Sequence, residues 1–218
     1  MIFKAAIFDL DGVIVDTVPL HFKAWKKMFN EYGKEFDFED YKEKVDGIPR
    51  FDGCRAILTD LPEEEIIKAG DKKQGYYMQY LNEDGVKVYV TTVSLIKELR
   101  TANIHTAVVS SSKNLRLILD KAGLLDLFEV KLSGNDITKG KPDPQIFLMA
   151  AEQLGVLPAE SVVFEDAVLG IEGARRADMR CVGIDRNKMP ELFKKADIVV
   201  NDLGEINLKD LQSLFPKL

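Results

Sequence analysis

The chain has 218 residues, 46% hydrophobic and 30% charged, enough for one well-buried domain or a main domain carrying a smaller insertion. Its formal charge of −6 argues against broad electrostatic capture of nucleic acid, although a local pocket of Lys and Arg can still hold phosphate. No apolar run approaches the roughly 20 residues of a membrane span, and Cys54 and Cys181 lie far apart without metal-ligand spacing, so no membrane helix and two reduced structural thiols are expected.

The N-terminus runs straight into the apolar segment 5–8, a buried strand that ends in Asp9, Leu10, Asp11 and Gly12. No charged leader or cleavage site precedes it, and a cytoplasmic protein is expected. From residue 17 to 85 the pattern is helical: Val18, Phe22, Trp25, Phe29 and Tyr32 recur at helical spacing, with Gly33 as a stop. Further helices are predicted over 38–45, 52–59 and 62–81. Gly47, Pro49 and Gly53 punctuate a loop between them. After Gly85, short apolar runs at 105–110, 161–165, 180–184 and 197–200 read as buried strands, separated by helices over 93–102, 115–122, 143–154 and 167–177. Such alternation predicts an α/β fold, a Rossmann-like parallel sheet flanked by helices. The first strand belongs to that sheet, so residues 1–16 and 85–218 form the expected core domain and 17–84 a helical cap inserted after strand one.

Open α/β sheets bind ligands at the carboxyl ends of their strands, where Asp9, Ser110, Glu165 and Asp166 all stand. Asp9 and Asp11, at i and i+2 on an extended chain, share a face and repel unless a cation or a proton joins them. A carboxylate near its ordinary pKa of about 3.9 needs no general base, which suits Asp9 to nucleophilic attack on phosphorus. Asp11, close to that anion, is expected to keep a raised pKa, to protonate a leaving oxygen and then to deprotonate the next acceptor. Taken alone, DLDG also reads as a plain strand end and turn. Ser110, Ser111, Ser112, Lys113 and Asn114 follow a strand and form either an anion cradle or a helix N-cap run. Lys141, in GKPDP, is either a solvated lysine or the point charge that neutralises a phosphoryl group. Glu165 and Asp166 end a buried strand, which is costly without a cation.

Taken together, DLDGVIVDT, VVSSSKN, GKPDP and VVFEDAVLGIEGA resemble, in that order, the four motifs of the haloacid dehalogenase superfamily of phosphotransferases. DTVPLHFKAWK, VDGIPRFDG and GDKKQGYY are similar to its β-phosphoglucomutase group. The resemblance implies Asp9 as the phosphorylated nucleophile, Asp11 as general acid and base, and Mg²⁺ held by the Asp9 side chain, the Asp11 backbone carbonyl and Asp166, with Glu165 completing the shell. It implies Ser110, Lys141 and the backbone N–H groups of Leu10 and Ser111 around the transferred phosphoryl group. Arg50, Ser112, Lys113 and Asn114 match the positions that bind a distal phosphate, and His21 and Lys73 match cap residues that contact the sugar and gate closure. His105 matches no such position and reads as a strand-edge residue.

The activity so implied is interconversion of β-glucose 1-phosphate and glucose 6-phosphate, with a sugar- or polyol-phosphate phosphatase as the alternative. The partner would be a small phosphorylated sugar, with no nucleic acid or membrane, and the chain a monomer. Two departures stand out: Thr91 and Thr92 replace a frequent Pro-Gly pair, and Gly53 stands where a serine is common.

Overall fold

The structure, a computed structural model, describes residues 2–215. Strand β1 (Ala5–Asp9) leads into a helical block of α1 (Val18–Glu31), α2 (Phe38–Asp40), α3 (Arg50–Ile57) and α4 (Glu63–Asp84). A π-helical turn, Tyr41–Val45, continues α2. The chain then alternates through α5 (Val90–Thr101), β2 (His105–Val109), α6 (Leu115–Ala122), β3 (Val130–Leu132), α7 (Gln145–Leu154) and β4 (Ser161–Glu165). It closes with α8 (Val168–Arg176), β5 (Arg180–Ile184), β6 (Ile198–Val200) and α9 (Leu208–Ser213).

All strand pairs are parallel, in the order β3-β2-β1-β4-β5-β6. The period-2 alternation of β1 divides it between two cores. Ala6 and Phe8 pack with Leu95, Ile118 and Leu211 on one face, Ala5 and Ile7 with Phe147 and Ile171 on the other. Phe8 stacks on Phe164 of β4 with centroids 4.3 Å apart. Two covered faces explain why these strands read as continuous apolar runs. Strand order reverses between β1 and β4, and the crevice of such a sheet opens there. Asp9 and Glu165 sit at that point, on adjacent strand ends.

Strand β3 was not expected from the sequence. It is three residues long with Lys131 at its centre, too short to show a period. Several predicted helices are displaced at their ends: α3 starts at Arg50, α4 runs on to Asp84 and α5 begins at Val90.

The helical block has an apolar cluster of its own, built on Val18, Trp25, Met28, Phe29, Tyr41, Cys54 and Ile66, with Trp25 stacked on Phe29 at 5.1 Å. Burial of each such aromatic contributes on the order of 2–3 kcal/mol. The far end of α4 belongs to the sheet: Tyr77, Tyr80 and Leu81 pack into the same cluster as Phe8. Residues 1 and 216–218 of the expected core range lie outside the described residues. Cys54 and Cys181 are free and buried. Among the described residues, no helix is long and apolar enough to cross a membrane.

Candidate active site

A cavity of about 210 Å³ opens above the strand ends. Asp9, Asp11, Ser110, Ser111, Ser112, Lys113, Asn114 and Asp166 line it from the sheet side, and His21, Arg50 and Lys73 from the helical block. Leu10, Lys141 and Glu165 are buried behind that lining. Leu10 points into the sheet core, as the alternation requires.

Lys141 is the centre of the buried charge. Its Nζ donates to Asp9 Oδ1 at 2.5 Å and also to Glu165 Oε1. The loop preceding α7 brings it there. Glu165 is held from its other side by the Ala167 N–H, 3.1 Å from Oε2. Burial pushes the Asp9 carboxyl up to about 7, against the opposing charge of Lys141. Burial likewise raises Glu165 and Asp166 to about 7. Burial opposes the Lys141 charge, but Asp9 and Glu165 outweigh it and hold the ammonium above the usual lysine range.

Two expectations fail here. Asp9 does not keep its ordinary carboxylate value, because burial raises it, and Asp11 is held at about 2, not raised. Burial alone would raise Asp11, and three donors from two segments, the start of α1 and the loop after β2, overcome that: His21, Thr17 and Ser110. Thr17 Oγ1 donates to Asp11 Oδ1, Ser110 Oγ to Oδ2 at 3.1 Å, and His21 Nε2 lies 3.3 Å from Oδ1. Lys73 Nζ donates to His21 Nδ1 at 2.8 Å, which leaves the Nε2–H to face Asp11. His21 stacks on Tyr77 at 4.1 Å. Burial, then Lys73, pushes His21 below its ordinary value, and burial lowers Lys73 to about 7.

At the other end of the cavity, Arg50 lies over the Phe51 ring and pairs with Asp71 at 3.1 Å. Asn114 accepts from Gln74 Nε2 at 2.9 Å, a bridge from α4 to the loop after β2. Ser111 Oγ donates to the Gly47 carbonyl at 2.6 Å, and the Ser112 N–H to Ser110 Oγ at 3.0 Å. Lys113 faces the cavity from the same loop. His105 is exposed, 2.8 Å from Glu129 and away from the cavity.

Asp9, Glu165 and Asp166 present buried ligand oxygens within 4.8 Å of one another. An all-carboxylate set of that size suits a hard divalent cation. Gly12 makes room for the Asp166 carboxylate: its φ is +79°, and a Cβ there would stand 2.2 Å from Asp166 Oδ2. Arg186 Nε steadies this turn by donating to the Gly12 carbonyl at 3.1 Å.

Thr17, Lys42, Gln74 and Arg186 were not singled out in the sequence. Thr17 carried a signal as the polar residue before a helix with Pro19 in its first turn. Lys42 donates to Asp46, and to the Asp166 backbone carbonyl at 2.9 Å, with Asp166 Oδ2 at 3.4 Å. Thr92 and Gly53, from the two departures, each have a physical reason. Thr92 Oγ1 donates to the buried Val13 carbonyl at 2.8 Å. A Cβ on Gly53 would press within 2.9 Å of the Trp25 ring, so a serine there would displace Trp25.

The family model for haloacid dehalogenase-like hydrolases matches residues 3–178. A β-phosphoglucomutase of Mycobacterium bovis is 35% identical over 93% of this chain and 91% of its own length. A phosphorylated carbohydrates phosphatase of Thermotoga maritima is 32% identical, over 84% of this chain and 83% of its own. The crystal structure of β-phosphoglucomutase from Clostridium difficile superposes with a TM-score of 0.87 at 31% identity, covering 97% of this chain and 96% of that one.

Proposed function

The chain belongs to the haloacid dehalogenase-like hydrolase family, an enzyme of its phosphomutase and phosphatase kind, and on that premise we propose that it is a sugar phosphomutase. It would move a phosphoryl group between the two ends of a hexose phosphate, β-glucose 1-phosphate to glucose 6-phosphate, through an aspartyl phosphate on Asp9. The observation that carries this reading is a basic side chain at each end of the cavity. Lys141 stands behind Asp9 at one end, while Arg50 and Lys113 face the same space from α3 and the loop after β2. A monophosphate needs one such end, a bisphosphate intermediate two.

Asp9 attacks one phosphorus of the sugar bisphosphate, the bond from phosphorus to the sugar oxygen breaks, and Asp11 delivers a proton to that oxygen, which releases the monophosphate product. The second half runs in reverse: the free hydroxyl of a monophosphate substrate takes the phosphoryl group from Asp9 and restores the bisphosphate, and the ionised Asp11 takes the hydroxyl proton. The three donors around Asp11 favour its basic form. A phosphoryl dianion arriving beside it raises its pKa and loads the acid form. Ser110 and Lys141, with the N–H groups of Leu10 and Ser111, hold the phosphoryl oxygens, while Ser112 and Asn114 assist Arg50 and Lys113 at the distal phosphate. A cation, Mg²⁺ by its fit to oxygen ligands, would be held by Asp9, Asp166 and the Asp11 backbone carbonyl, beside Glu165. When bound it keeps Asp9 ionised and neutralises charge on the phosphoryl group.

Residues 17–84 act as a cap in this scheme. His21 and Lys73 bring its charge to Asp11 on closure, which excludes water until the second sugar oxygen is in place. The partner is a small phosphorylated sugar, the enzyme a cytoplasmic monomer. A phosphatase is the second reading, supported by the 32% identity to a phosphorylated carbohydrates phosphatase. The test is incubation with β-glucose 1-phosphate, Mg²⁺ and a trace of glucose 1,6-bisphosphate, following glucose 6-phosphate and free phosphate together. Isomer in excess of phosphate is expected. Stoichiometric phosphate without isomer would overturn the mutase reading in favour of the phosphatase.

A further inference from the structure

Lys42 is 3% exposed and Asp46 6%, both on the turn that follows α2. An i,i+4 pair on a helix ordinarily lies in solvent, where it is worth a few tenths of a kcal/mol. This pair does not. The π-helical turn, closed by the Asp46 N–H on the Tyr41 carbonyl at 2.9 Å, carries Lys42 inward to the strand end of β4. There its ammonium meets both the backbone carbonyl and the carboxylate of Asp166. π-turns inside helices are uncommon and concentrate at functional sites.

We propose that Lys42 is a positioning residue for the cation end of the site: held by Asp46, it draws on the Asp166 carboxylate and so sets how tightly that carboxylate binds a divalent cation. The inference rests on the cation reading above. A cation among Asp9, Glu165 and Asp166 and the ammonium of Lys42 share one carboxylate, so each weakens the other's hold on it. Asp46 tempers the effect by partly cancelling the lysine charge. The same contact crosses from the helical block to the sheet, alongside the bond from Ser111 to Gly47, and thereby links closure of the block to the state of Asp166.

The charges predict opposite signs for two substitutions. Titration calorimetry of the full chain with MgCl₂, without substrate, should show Lys42→Met binding Mg²⁺ about tenfold tighter than the natural chain. Asp46→Asn, which frees the whole lysine charge to act on Asp166, should bind about fivefold weaker. Lys42→Arg should stay within about threefold of the natural chain, because the charge is kept. A residue that only packs the turn would weaken binding in both cases or in neither. Unchanged or weaker binding by a folded Lys42→Met overturns the proposal; if that variant does not fold, unchanged or tighter binding by Asp46→Asn does so. Asp166→Asn separates the two readings. If the natural chain binds no Mg²⁺, or Asp166→Asn binds it equally well, the cation reading fails and this one with it. If Asp166→Asn abolishes binding while Lys42→Met leaves it unmoved, only the Lys42 proposal fails.

Discussion

Substituting Gly12 by alanine separates the stability of the fold from the geometry of the site. At a φ of +79° an alanine costs about 1–2 kcal/mol, which in a chain of this size lowers Tm by roughly 2–8 °C. The new Cβ would also stand 2.2 Å from Asp166 Oδ2 and 2.5 Å from its Cγ. An ordinary contact needs about 3.4 Å, so the Asp166 carboxylate must retreat by about 1 Å, a misplacement that costs on the order of 10²-fold in rate. Gly123 is the internal control: its φ is +68°, and nothing lies within 4 Å of the position its Cβ would take. Gly123→Ala should therefore lose Tm by the backbone cost alone, no more than Gly12→Ala, and keep full activity. Thermal unfolding and kcat/KM on a sugar phosphate at saturating Mg²⁺ read the two effects separately. Equal activity in the two variants would refute the argument that the Gly12 turn is shaped around Asp166.

Three further outcomes follow from the same geometry. Arg50→Ala should reduce isomerisation of a hexose phosphate about tenfold or more beyond its effect on hydrolysis of a small aryl phosphate, since only the former has a distal phosphate; equal losses would remove Arg50 from that role. Lys73 keeps its ordinary 10.5 when unfolded and sits near 7 when folded, so between those values the unfolded chain binds more protons and stability rises with pH. Lys73→Met should flatten that rise, worth at most about 5 kcal/mol, in denaturant midpoints measured from pH 7 to 10. Thr92→Val keeps the shape but leaves the Val13 carbonyl buried without its donor, and urea unfolding should register a loss of about 1–2 kcal/mol.

The parallel sheet was legible because β1, β2, β4 and β5 are buried on both faces and so read as uninterrupted apolar runs. β3 was not, because three residues with a lysine between two apolar positions carry no period. Asp9, Ser110, Glu165 and Asp166 could be placed at strand ends from those runs alone, and the cavity does form there. The charge state of Asp11 was not legible: it depends on Thr17 and His21 at the start of α1 meeting Ser110 after β2, a convergence that spacing along the chain does not encode. Lys42 was hidden for a different reason. In the sequence it is one lysine in an ordinary charged helix, and only the π-helical turn carries it into the interior.

Whether Asp9 carries the phosphoryl group can be read by mass spectrometry of the acid-quenched enzyme after a single turnover with a sugar phosphate and Mg²⁺. A phosphoryl adduct is expected on the peptide containing Asp9, together with complete loss of turnover and of the adduct in Asp9→Asn. Turnover retained by Asp9→Asn, or an adduct on a peptide lacking Asp9, would contradict that role.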